Sequence, residues 1–170
     1  MTAAEIILAA VTAQRGAELL LSRRNTKALM ARGAVEVAPA HYPLMVAVHL
    51  AWLAALWAFG HSQAVDPFAL GVYLALQALR GWVMMTLGAR WTTRIIVLND
   101  APLVAAGPYR YLRHPNYAVV VGEIAVLPLM LHLPELAVLF TTLNAVVLFI
   151  RIRAEDRALR LCRALTAEGA

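Results

Sequence analysis

The chain has 170 residues, which suits a single domain, and its mean hydropathy is +0.69. It is 62% hydrophobic and only 15% charged, whereas a soluble domain is about half apolar and about a quarter charged. This composition excludes an ordinary water-soluble core and predicts an integral membrane protein. The net charge of +5 comes almost wholly from arginine, and no nucleic-acid-binding signature accompanies it. We therefore expect membrane lipid and an anionic ligand as partners, and no nucleic acid.

The apolar segments, in chain order, predict an all-α membrane protein with about five transmembrane helices in a single domain over residues 1–170. A spanning helix needs about 20 residues. The predicted spans are residues 3–22, 42–60, 67–88, 116–132 and 135–152. The residues between the last two spans, 131–135, predict a tight helical hairpin turn. A cytoplasmic loop over 89–115 and a cytoplasmic tail over 153–170, containing a C-terminal helix, complete the predicted layout.

The basic residues test this layout. All but two of the 15 lie in three segments, residues 23–40, 89–115 and 151–163, and the connections 61–66 and 132–135 contain none. Loops rich in arginine and lysine stay on the cytoplasmic side of a membrane. The distribution therefore predicts that the N-terminus is outside and the C-terminus is inside.

Each predicted span carries a polar residue at a similar depth. Counted from the cytoplasmic ends and converted at 1.5 Å per residue, this depth is roughly 10–12 Å. The five residues are Arg15, His49, Arg80, Glu123 and Asn144. We hypothesise that they form one polar floor beneath a site that opens to the cytoplasm, with Arg15, His49, Arg80 and Asn144 binding substrate. The alternative is that each residue packs alone, Arg80 extending to the interface and His49 serving a structural role.

A basic and aromatic cluster occupies residues 107–117. It follows a short β-prone run at 95–98 and a turn signal at Asn99-Asp100-Ala101-Pro102. Pro115 suits the first turn of a helix, and the unpaired N–H groups of a helix start favour an anionic ligand group. Arg110 and Arg113 add positive charge, and the tyrosines add stacking faces. A cofactor site and a juxtamembrane belt that only anchors helices are both consistent with this composition.

The order of these residues resembles a known family. Gly107-x-Tyr109-x-x-x-Arg113-His114-Pro115-x-Tyr117, followed by Glu123, is similar to the isoprenylcysteine carboxyl methyltransferase family of membrane enzymes. Arg151-Ile152-Arg153-Ala154-Glu155-Asp156 resembles that family's acidic pair, with Asp156 at the second position. The N-terminal half, with Arg15, Glu18, Asn25, Gly33 and His41-Tyr42, resembles a small bacterial branch that O-methylates long-chain alkylpyrones or alkylresorcinols.

The resemblance implies an S-adenosylmethionine-dependent O-methyltransferase in a bacterial inner membrane. Its lipophilic acceptor would be the carboxylate of a prenylated cysteine or the hydroxyl of an alkylpyrone or alkylresorcinol. The implied cofactor-binding residues are Gly107, Tyr109, Arg113, His114, Pro115, Tyr117 and Glu155. The implied catalytic residues are Arg113, Glu155 and Glu123, with Glu123 orienting the substrate or accepting a proton. No metal is implied, and the single cysteine, Cys162, excludes a cysteine-based metal site.

Two other functions are consistent with the sequence. Membrane sterol or enone reductases carry a similar Arg-x-x-His-Pro-Asn-Tyr stretch and use NADPH. A small membrane scaffold or carrier subunit would bind no cofactor.

Overall fold

The computed structural model describes residues 1–98 and 104–168, and within the last helix it describes side chains up to Ala154 and at Arg157. Five α-helices make up most of the chain. They are α1 (Ala3–Met30), α2 (Tyr42–Gly60), α3 (Pro67–Leu87), α4 (Pro115–Met130) and α5 (Pro134–Glu168). Short 3-10 turns occupy Pro39–His41, Gly88–Arg90 and Gly107–Arg110. The turn predicted at 99–102 and the side chains of Glu155, Asp156 and Cys162 lie outside the described part of the chain.

The helices agree with the predicted segments in the middle of the chain and exceed them at both ends. Helix α2 has the predicted bounds, whereas α1 continues from the predicted end at residue 22 to Met30. Helix α5 runs unbroken to Glu168, so the predicted tail and the fifth span are one helix. No glycine or proline occurs between residues 135 and 168, so nothing in the local sequence ends the helix earlier.

Three helical segments are long and apolar enough to cross a membrane, among the described residues. They are Pro39–Gly60, Pro67–Arg90 and Pro134–Ala154. Helix α4 is apolar but has only 16 residues, and α1 carries charged side chains at mid-length. The predicted fold class, an all-α integral membrane protein, is confirmed. Of the five predicted spans, three meet the criteria of length and hydropathy.

The two ends of the bundle differ. At one end, which we call the hairpin end, the start of α1 meets the end of α2, since Thr2 Oγ1 donates to the carbonyl oxygen of His61 at 2.7 Å. The α4–α5 turn lies there too, because Asp66 N donates to Met130 O at 2.9 Å. At the other end, the basic end, α1 and α3 finish and α4 begins, and most of the arginines lie there.

A two-stranded sheet closes the basic end. Strands β1 (Val35–Glu36) and β2 (Ile96–Val97) pair antiparallel, with Val35 opposite Val97 and Glu36 opposite Ile96. The β-prone run predicted at 95–98 is therefore confirmed. The sheet connects the segment that follows α1 to the segment that follows α3.

Candidate functional site

Four charged side chains from three helices form a buried charge quartet. It contains Arg15 and Glu18 of α1, Arg80 of α3 and Glu123 of α4. Arg15 donates to Glu18 Oε2 at 2.8 Å and to Glu123 Oε2 at 2.6 Å. Arg80 donates through Nε to Glu123 Oε1 at 2.7 Å, through Nη1 to Glu18 Oε2 at 3.0 Å, and through Nη2 to Glu123 Oε2. Two positive and two negative groups neutralise one another, as buried charges require.

Amide side chains extend the quartet toward the hairpin end. Gln14 Nε2 donates to Glu18 Oε1 at 2.8 Å, and Gln77 Nε2 donates to Gln14 Oε1 at 2.7 Å. Gln77 also contacts the hydroxyl of Tyr73, which is buried in the apolar core. Both oxygens of each quartet carboxylate are therefore engaged, and the network joins α1, α3 and α4.

An inner cavity of about 130 Å³ lies beside the quartet, within the bundle. Apolar side chains of α2, α4 and α5 form most of its walls. Arg15, His49, Arg80 and Asn144 all line it, and Glu123 bonds to Arg15 and Arg80 from behind. Four of the five residues predicted to share a polar layer therefore line one cavity, and Glu123 bonds to two of them. His49 bonds to the backbone of its own helix, as the structural alternative expects, and the substrate-binding role of the layer stays a prediction.

An outer cavity of about 230 Å³ lies at the basic end. Arginines, aromatic rings and the backbone around β2 line it. Its predicted residues include Tyr109, Arg113, His114 and Tyr117. The rings of His114 and Tyr117 stack with centroids 5.3 Å apart. The structure thus gathers four of the predicted cofactor residues around one basic and aromatic cavity.

Four residues line both cavities and form a partition between them. They are Trp91, Asn116, Tyr117 and Arg151. Three of them have a buried polar atom without a protein partner, namely Trp91 Nε1, Asn116 Oδ1 and Arg151 Nε. Asn144 Nδ2 and Trp52 Nε1, which belong to residues of the inner cavity, are also unpartnered. Native interiors seldom leave such atoms unsatisfied, so these five atoms can bond to water or to a bound molecule in the two cavities.

Hydrogen bonds from three helices hold the partition. Asn25 Nδ2 donates to the carbonyl oxygen of Trp91 at 2.8 Å, and Ser22 Oγ accepts from Thr93 N at 2.9 Å. Arg151 donates to Thr93 O at 3.0 Å and to the sulfur of Met45 at 3.0 Å. The segment that follows α3 is therefore held by α1 and α5, and Tyr42 of α2 adds a contact of 3.2 Å between its hydroxyl and Thr93 Oγ1.

Gly107 has a structural reason to be glycine. Its φ is +54°, and a Cβ atom there would collide with Thr86 Oγ1 and lie 3.1 Å from Trp82 Nε1, both on α3. The left-handed backbone and the close approach let the 107–110 turn pack against α3. Gly107 does not line either cavity. It positions the loop that carries Tyr109 and Arg113.

Pro115 begins α4 as predicted, and it is buried. It does not line either cavity, whereas its neighbours His114 and Asn116 both line the outer one. Glu155 belongs to α5, but its side chain lies outside the described part, so its predicted role stays a prediction.

Some of these residues were not identified as site residues from sequence. Trp91 and Arg151 stood within segments that were noted, but no local pattern distinguishes a partition residue from a membrane-interface residue. Thr93 and Ser22 lie 71 positions apart, and only the fold brings them together. Arg151 did offer one signal: it heads the segment that resembles the family's acidic motif.

Comparison with known proteins gives a consistent result. The profile described as "Isoprenylcysteine carboxyl methyltransferase (ICMT) family" matches residues 69–161. An uncharacterized protein of Bacillus subtilis (strain 168), YpbQ, is 38% identical over 160 residues, which cover 91% of this chain and 95% of that protein. An uncharacterized protein of Haemophilus influenzae (strain ATCC 51907 / DSM 11121 / KW20 / Rd) is 26% identical over 160 residues, covering 91% and 93%. No solved structure matches the chain.

Proposed function

Because this chain belongs to the isoprenylcysteine carboxyl methyltransferase family, a family of membrane methyltransferases, we propose that it is an S-adenosylmethionine-dependent O-methyltransferase for a lipophilic acceptor. One observation carries the proposal: a basic, aromatic cavity and an apolar cavity meet at a single partition. A reaction between a water-soluble methyl donor and a membrane lipid needs one compartment of each kind, with the reacting atoms where they meet.

The outer cavity suits S-adenosylmethionine. Arg113 lines it, is exposed, and makes no ion pair with the described side chains, so its guanidinium can bind the amino acid carboxylate. Tyr109, Tyr117 and His114 provide flat faces for the adenine ring. The unpartnered Trp91 Nε1 and Asn116 Oδ1 lie on the wall nearest the acceptor. These residues fit a ligand that combines an anionic group, an aromatic base and further polar atoms.

The inner cavity suits the head group of the acceptor. Its 130 Å³ is below the roughly 300–1,000 Å³ of pockets that enclose a drug-sized ligand, so a long chain has to leave it. Leu50 lines the cavity, yet 59% of its surface is exposed. We propose that the lipid tail leaves beside Leu50, between helices, and stays in the bilayer.

The protein's part in the chemistry is to position both partners and exclude water. When bound, S-adenosylmethionine supplies a methyl group that its sulfonium already activates for in-line displacement by oxygen. Arg113 and the stacked rings orient the donor. Trp91 and Arg151 hold the reacting oxygen of the acceptor at the partition. Glu123 gives both oxygens to Arg15 and Arg80, which supports its orienting role over proton acceptance.

The acceptor is either the carboxylate of a prenylated cysteine or the hydroxyl of an alkylpyrone or alkylresorcinol. A carboxylate or an acidic enol is already largely ionised near neutral pH and needs no strong base. A phenol, with a pKa near that of tyrosine at about 10, benefits from one.

We further propose that the basic end faces the cytoplasm of a bacterial inner membrane. Thirteen of the 15 basic residues lie in segments at or beyond that end, which the positive-inside rule assigns to the cytoplasm. Both similar proteins named above come from bacteria. The donor would then be taken from the cytosol, where S-adenosylmethionine is made.

The test uses purified protein in lipid vesicles. Binding of S-adenosylhomocysteine should raise the melting temperature, whereas NADPH should not. Methyl-labelled S-adenosylmethionine and a bacterial lipid extract should then give a labelled lipid product, identified by mass. Stabilisation by NADPH alone would favour a reductase, and stabilisation by neither compound would contradict the methyltransferase proposal.

A further inference from the structure

His49 offers a basic nitrogen to the inner cavity. It lies on α2 and lines the cavity, and its Nδ1 is 2.8 Å from the carbonyl oxygen of Met45. A carbonyl oxygen can only accept a hydrogen bond, so Nδ1 carries the proton of the neutral ring. Nε2 then has an unprotonated lone pair. The backbone of α2 thereby fixes the tautomer that can take up a proton.

The other polar groups of the cavity are unsuited to that task. The carboxylate of Glu18 accepts hydrogen bonds from Arg15 and Arg80 as well as Gln14. Arginine side chains are donors only, and the unpartnered nitrogen of Asn144 is a donor too. Of the described side chains that line the inner cavity, His49 is the one base that no guanidinium neutralises.

His49 also lies near the level where methyl transfer would take place. Met45, one helical turn before it, contacts the partition residue Arg151. Four residues of helix separate these levels, which is about 6 Å along α2. The imidazole of His49 extends back along α2 toward Met45 and so toward the partition, so one acceptor hydroxyl held at the partition can contact Nε2.

We propose that His49 is the general base of the reaction and that the acceptor is a phenolic lipid hydroxyl rather than an acid that is already ionised near neutral pH. This inference rests on the proposed methyltransferase function. In the step, the acceptor's O–H bond breaks and its proton goes to Nε2. The oxygen forms a bond to the methyl carbon, the sulfur–methyl bond breaks, and its electron pair stays on sulfur in S-adenosylhomocysteine. The imidazolium later releases the proton to water.

The experiment compares wild-type protein with His49→Gln in vesicles of phosphatidylglycerol and phosphatidylethanolamine. Rates are measured with 5-pentadecylresorcinol and, separately, with N-acetyl-S-farnesylcysteine as acceptor. We expect wild-type protein to methylate the resorcinol and His49→Gln to do so about 100-fold more slowly at pH 7, a typical loss for a removed general base. Binding of the resorcinol without cofactor, read from tryptophan fluorescence, should change less than about 3-fold, because the substituted amide still hydrogen bonds.

The pH profile separates a base from a structural residue. The charged and titratable groups that share the cavity with His49 are Arg15, Glu18, Arg80, Tyr117 and Arg151, and both proteins retain them. The deficit of His49→Gln should shrink as pH rises from 7 to 9.5, because a growing fraction of the phenol is already ionised. A deficit that is the same at every pH would overturn the role of a base.

A matched control exists at the hairpin end. His61 Nδ1 bonds to the carbonyl of Trp57, four residues before it, at 2.9 Å, and it lines neither cavity. His61→Gln should keep the wild-type rate. If His49→Gln is too unstable to assay, His49→Asn, whose amide can still donate to Met45 O, should show the same rate loss and pH profile.

The outcomes distinguish the two proposals. Methylation of the farnesylcysteine alone would overturn the inference about hydroxyl acceptors and leave the methyltransferase intact. A resorcinol rate in His49→Gln within about 3-fold of wild type would overturn the role of His49. Failure of wild-type protein to bind S-adenosylhomocysteine and to methylate either probe would contradict the proposed function itself, and this inference with it.

Discussion

The inner and outer cavities are both lined by arginine, but Arg15 and Arg80 of the inner cavity and Arg113 of the outer cavity have different neighbours. Arg15 and Arg80 of the inner cavity are paired with two buried carboxylates, and only 4% of the Arg80 side chain is exposed. Arg113 of the outer cavity is exposed and has no carboxylate among the described side chains. The neighbours of an arginine therefore decide whether it holds the fold or binds a ligand. We treat the inner pair as scaffold and Arg113 as a ligand contact.

The largest expected effect comes from the scaffold. Glu123→Gln leaves two buried guanidiniums with reduced compensation, which typically costs about 3–5 kcal/mol of folding free energy. Turnover should fall more than cofactor affinity, because the acceptor side of the site loses its positioned arginines. Chemical unfolding in detergent micelles and S-adenosylhomocysteine binding measure the two effects. Unchanged turnover would reject the orienting role of Glu123.

A double variant sharpens this prediction. Arg80→Met/Glu123→Met removes one charge of each sign and leaves Arg15 paired with Glu18 at 2.8 Å. It should be less destabilised than Glu123→Gln, since no uncompensated charge remains. The single variants Arg80→Met and Glu123→Met are measured beside it. If the loss of stability in the double variant equals the sum of their losses, the quartet does not act as a unit.

The next effect concerns the ligand contact. Arg113→Ala should weaken S-adenosylhomocysteine binding by about 10- to 100-fold, which corresponds to a lost charge-assisted hydrogen bond of about 1.5–3 kcal/mol. The melting temperature without ligand should not change, because the side chain is exposed. Titration calorimetry measures the affinity. Arg110→Ala is the control, since Arg110 is exposed and lines neither cavity; equal losses in both variants would point to a general charge effect.

Gly107→Ala should have an intermediate effect on both the free energy of unfolding and the affinity for S-adenosylhomocysteine. The added methyl group meets Thr86 Oγ1 and the backbone has a φ of +54°, so we expect about 1–3 kcal/mol of destabilisation. Cofactor affinity should fall with it, because the loop that carries Arg113 shifts. In a Thr86→Ala background the same change should cost less, since only the backbone strain and the 3.1 Å approach to Trp82 Nε1 remain. An equal cost would show that the contact with α3 is unimportant.

The smallest effect on stability is expected at Thr93, beside the partition. Thr93 Oγ1 lies 2.8 Å from Ser22 Oγ and 3.2 Å from the hydroxyl of Tyr42. Thr93→Val removes both contacts and should cost about 0.5–1.5 kcal/mol per hydrogen bond. Thr92→Val is a partner variant, because Thr92 Oγ1 donates only to the nearby Arg94 carbonyl at 2.6 Å. Thr93→Val should raise the KM for the acceptor more than Thr92→Val does.

The bounds of the helices and the depth of each side chain along its helix were predictable from sequence, because both depend on local properties. Segment length and hydropathy set the bounds of α2 and α3. Counting residues along each span placed His49 and Asn144 at one level, and a helix converts residue number directly into depth. The continuation of α5 was not predicted. The charged residues of the tail were interpreted as the end of the fifth span, whereas the same helix continues through them.

The charge quartet and the contacts of the partition were not predictable in the same way. Arg15 and Glu123 are 108 positions apart, and Arg151 and Thr93 are 58 apart. Depth fixes the height of a side chain along its helix, but helix rotation and packing decide which neighbour it faces. The pairing that neutralises Glu123 therefore became clear only in the folded chain. The same holds for the closeness of Gly107 to α3.

The length of α5 has a mechanical consequence. Its 35 residues extend about 52 Å, well beyond the roughly 30 Å hydrocarbon core of a bilayer. Asn144 and Arg151 lie on this one rod, seven positions apart on the same face, and residue 155 follows a turn later. One continuous helix thus carries a residue of the inner cavity and a residue of the partition, and it continues beyond the length that the hydrocarbon core requires.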